Sequence, residues 1–499
     1  MNRRAITQDR MAVDETNVAK VAEVYTEIIC RLVRKMLLLL LLPLLLIGES
    51  PWEARIRASR LATLLLPCCY LMATFELKRE KMALETRSCV TEAMWGPPGS
   101  GKSSRLRDEI VAALSRKNAI SVMAFSEAAA KELGGRIRTA IGTDLHQSSC
   151  ATLHSLAMRS VKGHRLAQEA SRIDQWNRLN PHYAMSGRYR LNDPDDAAPM
   201  AYSDMEDGHA LLSALNYYRN AMVPSDRWDP AVRAFHEEWT VFKADHNLLD
   251  FCDYIESAIG TKPPCTAREI FFDEAQDATP LEWALVNSWG QQAERLVVAG
   301  DPYQCIYEWR GADPLIFQNM PDKVFLPRSY RLPQAIWSYA YEWARRLSSF
   351  EEVRCEPARH AGFVDYCPLT YEDGNGILAL ARRYMDQNQT VLVMASCGYM
   401  LSSFLEACKA QEIAVCNPWR PGRTAWNTGK SKLMVGTCHS AKGGEADVVI
   451  LFPNISSAAT DYAHEYGTDA IVRTFFVGMT RARHGLYLCQ SCGEDSVSW

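Results

Sequence analysis

GPPGSGKS, residues 96–103, is the stretch on which the fold of this chain depends. It fits the pattern G-x-x-x-x-G-K-[ST], in which glycines let successive backbone N–H groups point at one anion. Lys102 is placed to reach the β- and γ-phosphates of a nucleoside triphosphate, and the Ser103 hydroxyl is placed to bind Mg²⁺. Residues 90–95 read as a strand, and residues 104–114 as a helix whose N-terminal dipole faces the same anion. We therefore expect a phosphate-binding loop between a strand and a helix, against the alternative of a chance glycine-rich turn.

The chain has 499 residues, a formal net charge of −4 and 16 cysteines. The length allows for roughly three domains. The charge gives no global basic field for nucleic acid, although a local basic groove would be sufficient to bind it. The cysteines form no paired framework, so we read them as free thiols of a cytoplasmic protein in a reducing compartment. The one C-x-x-C, Cys489 to Cys492, lacks a second ligand pair, which argues against a zinc site.

Residues 1–81 differ in composition from the rest of the chain. Residues 36–47 are an almost pure leucine run broken by Pro43, and residues 61–75 form a second apolar run. Both fall short of the roughly 18–20 residues that a spanning helix needs. We expect an appended segment outside the folded domains, with Met82 as a natural beginning. A membrane hairpin or surface anchor is the alternative interpretation.

Strand-like and helical patterns alternate after the phosphate loop. Residues 119–125 are apolar and β-prone and residues 126–137 read as a helix, which predicts a parallel sheet with crossover helices. Residues 156–267 are helix-rich and aromatic, and residues 235–255 carry apolar side chains at helical spacing. From about residue 323 the alternation resumes without a phosphate loop, including a short strand at residues 413–415. The sequence predicts an α/β protein with two parallel-sheet units and a helical subdomain inserted in the first.

The run EIFFDEAQD at residues 269–277 ends an apolar strand in two carboxylates. Acidic residues at the carboxyl end of a parallel strand lie beside the phosphate loop. In that place Asp273 can hold Mg²⁺ and Glu274 can polarise an attacking water. The alternative is a capped helix start with solvated carboxylates, which the phosphate loop upstream disfavours.

A second polar run, DPYQCIYEWRGADP at residues 301–314, follows another buried-strand pattern. Gln304 is a candidate sensor of the γ-phosphate. Tyr307, Trp309 and Arg310 form an aromatic and basic cluster that suits stacking on the bases of a single strand. Standing alone, such a cluster would more often consist of core aromatics.

Two arginines of the second unit are candidate arginine fingers. Arg331 lies in RSYRLPQAI and Arg481 in FFVGMTRAR. Either could stabilise charge on a transferred phosphoryl group. A lone arginine is usually a surface residue, so the argument rests on the set of motifs.

The ordered motifs resemble the UvrD/Rep family of superfamily-1 DNA helicases. They are GPPGSGKS, AFSEAAAKEL (124–133), ATLHSLA (151–157), LLDFCDYI (248–255), DEAQD (273–277), AGDPYQCIYEWRGA (299–312), SYR (329–331), TCHSAKGGE (437–445) and VGMTRAR (477–483). The resemblance implies two RecA-like P-loop domains with ATP and Mg²⁺ bound in the cleft between them. It also implies ATP-driven movement along single-stranded DNA with 3′-to-5′ polarity, and action at duplex junctions. The expected division is 82–155 with 268–322 for the first domain, 156–267 for the insertion and 323–499 for the second domain.

The resemblance also assigns roles to individual positions. It implies that Asp273 and Ser103 hold the metal, that Glu274 is the general base, and that Lys102, Gln304, Arg331 and Arg481 act on the phosphates. Tyr330 would stack on adenine and Glu445 would lie near the ribose. The expected ATP-binding residues are Gly96, Pro97, Pro98, Gly99, Ser100, Gly101, Lys102, Ser103, Ser104, Tyr330 and Glu445. The expected DNA-binding residues are Phe125, Thr152, His154, Tyr307, Trp309, Arg310 and His439.

Two local features depart from the family pattern. The family has a glutamine shortly before the phosphate loop that reads adenine, whereas Gln8 is the only glutamine before Gly96 here. Adenine specificity is therefore an open question. Ser126 and Glu127 stand where threonine and asparagine are usual, and a carboxylate near the DNA path would weaken phosphate contacts.

The second domain also departs from the family in its length. The stretch from Arg331 to Lys432 is too short for the large insertion typical of the family. Residues 416–431, CNPWRPGRTAWNTGKS, are what remains for it, and they read as a loop that contacts DNA through Arg420, Arg423 and Trp426. We expect a compact helicase, in which the extent of duplex unwinding is open.

Other interpretations of the same motifs remain. The chain could be a non-catalytic or membrane-tethered nucleic-acid-binding relic of a helicase, or its track could be RNA. The intact Lys102, Glu274 and Arg481 argue against a relic. The sequence indicates no pathway among repair, replication, recombination and mobile-element maintenance, no protein partner and no oligomeric state.

Overall fold

The computed structural model describes residues 90–143, 149–185, 208–321, 323–418 and 431–499. The strands are β1 (Val90–Trp95), β2 (Ile120–Ala124), β3 (Cys150–Thr152), β4 (Arg165–Leu166), β5 (Leu248–Leu249), β6 (Glu269–Asp273), β7 (Arg295–Gly300), β8 (Lys323–Phe325), β9 (Arg328–Pro333), β10 (Glu356–Ala358), β11 (Phe363–Cys367), β12 (Val391–Ala395), β13 (Leu433–Thr437), β14 (Ala446–Leu451) and β15 (Ala482–Cys489). The helices are α1 (Lys102–Ser115), α2 (Glu127–Ile141), α3 (Leu153–Ser160), α4 (Ala170–Leu179), α5 (Gly208–Asn220), α6 (Pro230–Asp245), α7 (Phe251–Ala258), α8 (Pro280–Gly290), α9 (Pro314–Gln318), α10 (Gln334–Ala344), α11 (Gly374–Met385), α12 (Ser402–Ala410), α13 (Ser457–Tyr466) and α14 (Asp469–Met479). Within these ranges no helix has the length and apolar character of a membrane span. The apolar runs 36–47 and 61–75 lie outside the described residues.

The first sheet has six parallel strands in the order β3-β2-β6-β7-β1-β8. Strands β2 and β6 are buried along their whole length. Strands covered on both faces read as continuous apolar runs, which is why the sequence pattern located them. The carboxyl ends of β1, β6 and β7 carry the phosphate loop, the acidic run and the 301–310 loop to one edge of the sheet.

The second sheet has five parallel strands in the order β11-β15-β14-β12-β13. Two parallel sheets with helices confirm the predicted α/β fold with two RecA-like domains. The strand expected at residues 413–415 is wrong, because Ile413 donates its N–H to the Cys408 carbonyl at 2.9 Å and so closes α12. In the described segment 411–418, only Cys416 pairs with β13, through a single bridge to Met434.

The helical insertion has a core of its own. Trp176 on α4 makes edge contacts with Phe235, Trp239 and Phe242 on α6, with ring centroids 5.0–5.7 Å apart. This cluster contains buried residues from Ala167 to Leu248. Helices α3 and α7, in contrast, bury their apolar side chains in the core of the sheet. We therefore place the packed insertion within residues 167–248.

The apolar pattern at residues 235–255 covers two helices. Helix α6 ends at Asp245, and Asn247 has a left-handed φ of 53° that breaks the helical path. Helix α7 then starts with a capping box, in which Asp250 accepts from the Asp253 N–H and the Asp253 side chain accepts from the Asp250 N–H. Such a reciprocal cap satisfies two N–H groups that a helix start otherwise leaves without partners.

A buried charge cluster joins the insertion to α7. The Arg219 guanidinium on α5 donates to both Asp250 carboxylate oxygens at 3.0 Å and to Asp253 at 2.6 Å. Lys243 on α6 and the Trp239 indole also donate to Asp250. Burial alone would raise the pKa of Asp250, but Arg219 and Lys243 outweigh it and lower that pKa. The cluster ties three helices through one carboxylate.

Candidate functional site

The loop between β1 and α1 is shaped for an anion. Gly99 and Gly101 adopt left-handed φ values of 73° and 84°, which turn the backbone between strand and helix. The Lys102 ammonium is buried and donates to the Gly96 carbonyl at 2.7 Å. Burial lowers the pKa of Lys102, while Asp301, Glu274 and Asp273 act in the opposite direction. The buried Ser100 hydroxyl has no hydrogen-bond partner among the described residues. The loop thus offers a cation and a free hydroxyl to a phosphate.

Buried carboxylates face this loop. Asp273 ends β6, and burial followed by the charge of Glu274 raises the pKa of Asp273 to about 7, against the lowering effect of the Ser103 hydroxyl. Burial also raises the pKa of Asp301, at the end of β7. A site with more buried carboxylates than cations fits a divalent ion with oxygen ligands. Ser103 and Asp273 are the residues that would hold it.

Glu274 is held in an unusual backbone conformation. Its φ is 56° and its ψ is 39°, a left-handed geometry that costs free energy for a non-glycine residue. The Gln276 amide donates to its carboxylate at 2.6 Å. Burial alone would raise the pKa of Glu274, but Lys442, Lys102, Gln276 and Arg481 together lower it. The carboxylate is therefore kept ionised, as a general base needs to be.

A hydrogen-bonded chain runs from the first sheet to the second at this edge. The Trp95 indole donates to Asp301 at 3.4 Å, and the Gln304 amide donates to the other Asp301 oxygen at 2.6 Å. The side-chain carbonyl of Gln304 in turn accepts from the buried Arg481 guanidinium at 2.6 Å. Burial, followed by the nearby charge of Arg331, lowers the pKa of Arg481. A buried arginine that lacks a carboxylate partner among the described residues suits an added anion.

Strand β9 lies directly against the phosphate loop. The Ser329 hydroxyl donates to the Pro98 carbonyl at 2.7 Å, and the Tyr330 N–H donates to the Gly99 carbonyl at 2.9 Å. A Cβ at Gly99 would lie 2.4 Å from the Arg331 Cβ, so only glycine fits there. The Arg331 side chain donates to Glu445 at 2.8 Å. Tyr330 is 70% exposed beside the loop, where its ring is available for stacking. Of the expected nucleotide set, Arg331 and Glu445 are thus paired with each other.

A row of aromatic and basic side chains lies between the end of β2 and the 301–310 loop. The centroids of the Phe125 and Tyr307 rings lie 4.7 Å apart. The Arg310 guanidinium lies over the Phe125 ring, 4.7 Å from its centroid. Tyr307 also contacts Trp309 and His439, with ring centroids 6.3 and 6.1 Å apart. We call these five side chains the aromatic row. All are half-buried, so part of each surface remains available to a ligand.

The two other expected DNA-contacting residues are placed by α3. Thr152 caps this helix by accepting from the Ser155 N–H at 3.2 Å. The His154 ring lies 3.5 Å from the Glu282 carboxylate, which also accepts from Arg310 at 2.9 Å. Glu282 thus links His154 to the aromatic row.

The unusual pair at the start of α2 has a local explanation. The Ser126 hydroxyl accepts from the Ala129 N–H at 3.1 Å and caps the helix. Glu127 is 79% exposed on its side chain and pairs with Lys131 at 2.8 Å. Glu127 therefore adds negative charge at the first turn, where the helix dipole favours it. Arg420, Arg423 and Trp426 lie outside the described residues, as does Gln8.

Two family models match the chain in the order of its motifs. The UvrD/REP helicase N-terminal domain matches residues 79–324, and the UvrD-like helicase C-terminal domain matches residues 432–489. The chain belongs to the UvrD/Rep-like family of superfamily-1 helicases. The ATP-dependent DNA helicase PcrA of Staphylococcus epidermidis is 25% identical over 280 residues, which cover 49% of this chain and 36% of that protein. The ATP-dependent DNA helicase UvrD2 of Mycobacterium tuberculosis is 25% identical over 272 residues, which cover 48% of this chain and 39% of the relative.

The matched part therefore spans well under half the length of these two relatives. Among solved structures, the arterivirus nonstructural protein 10 helicase aligns with 80% of this chain and 59% of its own, at 13% identity and a TM-score of 0.33. The fold assignment therefore rests on the sheet topology and the family match, and not on this similarity.

The UvrD/Rep-like motifs hold further site residues that the sequence did not single out. Gln276 and Asp277 lie within DEAQD, and Lys442 lies within TCHSAKGGE. The Lys442 ammonium donates to Asp277 and, at 2.7 Å, to the backbone carbonyl of Gln304. The signal available in the sequence was a charged residue within a motif whose other residues already had proposed roles. The partner of Lys442 is 165 residues away, and nothing local in the sequence names it.

Proposed function

We propose that this chain is an ATP-dependent DNA helicase or translocase that moves along single-stranded DNA in the 3′-to-5′ direction and acts at duplex junctions. One observation carries the proposal. Residues 301–310 form a single short segment that places Gln304 among the phosphate-loop groups and Tyr307, Trp309 and Arg310 in the aromatic row. A movement of this segment changes both sites together.

The nucleotide is held from three sides. The loop at residues 96–104 and Lys102 cradle the phosphates, Tyr330 stacks on adenine, and Glu445 lies on the ribose side. Ser103 and Asp273 would hold Mg²⁺, which would supply positive charge against the phosphates. The glutamine that contacts adenine in this family has no counterpart shortly before the phosphate loop. The residues named here therefore specify the phosphates of the nucleotide more fully than its base.

Hydrolysis follows from the charges around the γ-phosphate position. Glu274 is ionised and accepts a proton from the attacking water. Gln304, Arg331 and Arg481 stabilise the charge that spreads over the γ-phosphate oxygens. The phosphate displaces the contacts that Arg331 and Arg481 make with Glu445 and Gln304 in this structure.

Single-stranded DNA runs over the aromatic row. Phe125, Tyr307 and Trp309 offer ring faces to the bases, a mode that tolerates any sequence. Arg310, Thr152 and His154 line the same side, and His439 reaches it from the second domain through the Ile306 carbonyl at 3.1 Å. A track that touches both domains is gripped differently when the cleft opens and closes.

Translocation needs that difference in grip, because equal affinity in both states would move nothing. ATP bridging the phosphate loop to Arg331 and Arg481 closes the cleft, and hydrolysis releases it. We propose that the second domain starts after β8, because Lys323–Phe325 pairs with β1 of the first sheet, and that the insertion proper lies within residues 167–248. The boundaries expected from the sequence, 323 and 156–267, shift accordingly. Residues 1–81 remain an appended segment in this proposal, and the cytoplasm is the place of action.

The decisive experiment is Mg²⁺-dependent ATP hydrolysis by the purified chain, with and without an oligothymidine single strand. We expect strong stimulation by the DNA, and loss of activity in Lys102→Ala. An unchanged rate in that variant would overturn the assignment.

The direction of movement and the choice between DNA and RNA are tested in separate experiments. Strand displacement on 3′- and 5′-tailed duplexes reports the polarity, and a preference for 5′ tails would contradict it. Matched DNA and RNA oligonucleotides decide the track, since stronger stimulation by RNA would replace DNA as the substrate.

A further inference from the structure

Lys442 joins the hydrolysis site to the aromatic row. It lies in the loop between β13 and β14 of the second sheet, and its side chain reaches across to the first. The ammonium donates to the Asp277 carboxylate and to the backbone carbonyl of Gln304, and it lies 5.3 Å from the centroid of the Tyr307 ring. One cation therefore contacts the acidic run, the 301–310 loop and a ring of the aromatic row.

The Asp277 end of this contact leads to the general base. The Gln276 amide nitrogen donates to the Glu274 carboxylate at 2.6 Å and to the Asp277 carboxylate at 3.2 Å. The Gln276 carbonyl accepts from the Asp301 N–H at 3.0 Å. Gln276 is fully buried, so its orientation is set by these three partners. A displacement of Asp277 would shift the amide that holds Glu274.

Asp277 depends on Lys442 for its charge balance. Its side chain is fully buried, and its second oxygen has no hydrogen-bond partner among the described residues. Removal of one partner from a buried ion pair leaves an uncompensated charge, which is strongly unfavourable. The Asp277 carboxylate would then move or take up a proton, and either change alters the hydrogen bonds of Gln276.

The contact of Lys442 with Tyr307 lies at the proposed DNA track. A base stacked on the aromatic row packs against Tyr307, whose face Lys442 occupies through a cation–π contact. Lys442 belongs to the second domain and Tyr307 to the first. The contact therefore crosses between the two proposed domains.

We propose that Lys442 is a positioning residue that couples occupancy of the aromatic row by single-stranded DNA to the placement of Glu274. The coupling runs through Asp277 and Gln276, and it rests on the proposed function. Lys442 itself touches neither the reacting phosphate nor the attacking water in this assignment. Its loss should reduce the acceleration by DNA more than it reduces the affinity for ATP.

The test compares ATP hydrolysis by Lys442→Met with and without an oligothymidine strand. We expect the ratio of DNA-stimulated to DNA-free kcat to fall by about tenfold or more, a common size for coupling between two sites. The KM for ATP should change little, because no nucleotide-binding group is removed. Lys442→Arg, which keeps the charge and the donors, should restore part of the ratio. Lys409→Met, at an exposed position on α12, is the matched control.

A double-mutant cycle with Asp277→Asn locates the coupling. If the two residues act through each other, the double variant should lose little more of the ratio than either single variant. Equal losses of the stimulated and DNA-free rates, with a lowered melting temperature, would mean a structural role and overturn the inference. An unchanged ratio in Lys442→Met would overturn it as well and leave the proposed function standing. A wild-type chain without DNA-stimulated hydrolysis would overturn both.

Discussion

The Arg481 guanidinium of the second sheet donates a hydrogen bond of 2.6 Å to the side-chain carbonyl of Gln304, which follows the first sheet. Two of the three residues proposed to act on the γ-phosphate are thus hydrogen-bonded to each other in this structure. Arg481 also donates to the Val477 carbonyl at 3.0 Å, so its stem is fixed on α14 while its tip faces the cleft. A guanidinium set in this way loses little freedom when a phosphate takes the place of the amide.

Arg481→Ala should lower the DNA-stimulated kcat for ATP hydrolysis by about a thousandfold or more, the size typical of an arginine finger. The physical reason is the loss of a buried positive charge at the developing phosphoryl charge. Steady-state hydrolysis measures it, with Arg136→Ala as the control because Arg136 is exposed and pairs only with Glu132 on its own helix. A loss of less than tenfold would remove Arg481 from the γ-phosphate.

Glu274→Gln should lower kcat by about 10²- to 10⁴-fold, the usual contribution of a general base. The amide keeps the shape of the side chain but does not accept the proton of water. Nucleotide binding, measured with a fluorescent ATP analogue, should persist. Glu132→Gln is the matched control, since Glu132 is exposed and pairs with Arg136 on the surface of α2. If both variants hydrolysed ATP equally well, Glu274 would not be the base.

Phe125→Ala should weaken binding of single-stranded DNA by about 1–3 kcal/mol, the value of one stacked base. The substitution also removes the face on which Arg310 lies, so the loss should fall at the upper end. Equilibrium binding of a labelled oligothymidine strand at fixed salt measures the change. Tyr466→Ala, at an exposed ring on α13, should leave the affinity as it is. Equal affinities in the two variants would place the track elsewhere.

Asp250→Asn should lower the free energy of unfolding by about 3–5 kcal/mol near neutral pH, because Arg219 and Lys243 lose their buried partner. The folded pKa of Asp250 lies below its ordinary value of 3.8. Its stabilisation is therefore present above that value and is lost as the pH falls through the folded pKa. Urea unfolding at several pH values should give a shallower acid limb for the variant. Asp245→Asn, at an exposed position, is the control, and the same stability for both variants would contradict a role for the cluster.

The sequence predicted what depends on local pattern. Strands such as β6 are buried on both faces and so read as apolar runs, and the phosphate loop needs glycine where φ is positive. The sequence did not predict the pairs that bring distant segments together, such as Lys442 with Asp277 or Arg219 with Asp250. The short apolar run at residues 413–415 led to a wrong strand prediction, because the N–H of Ile413 closes a helix and does not pair with a strand. The roles of the individual site residues stay predictions for the experiments above.

The fit between Gly99 and Arg331 constrains how the cleft can move. With the Cα of one and the Cβ of the other already in contact, the phosphate loop and β9 have no remaining gap to close at this point. A movement of β9 at this point can therefore lengthen the distance to the phosphate loop but cannot shorten it. A side chain at position 99 would hold β9, and Arg331 with it, farther from the phosphate loop than they lie in this structure.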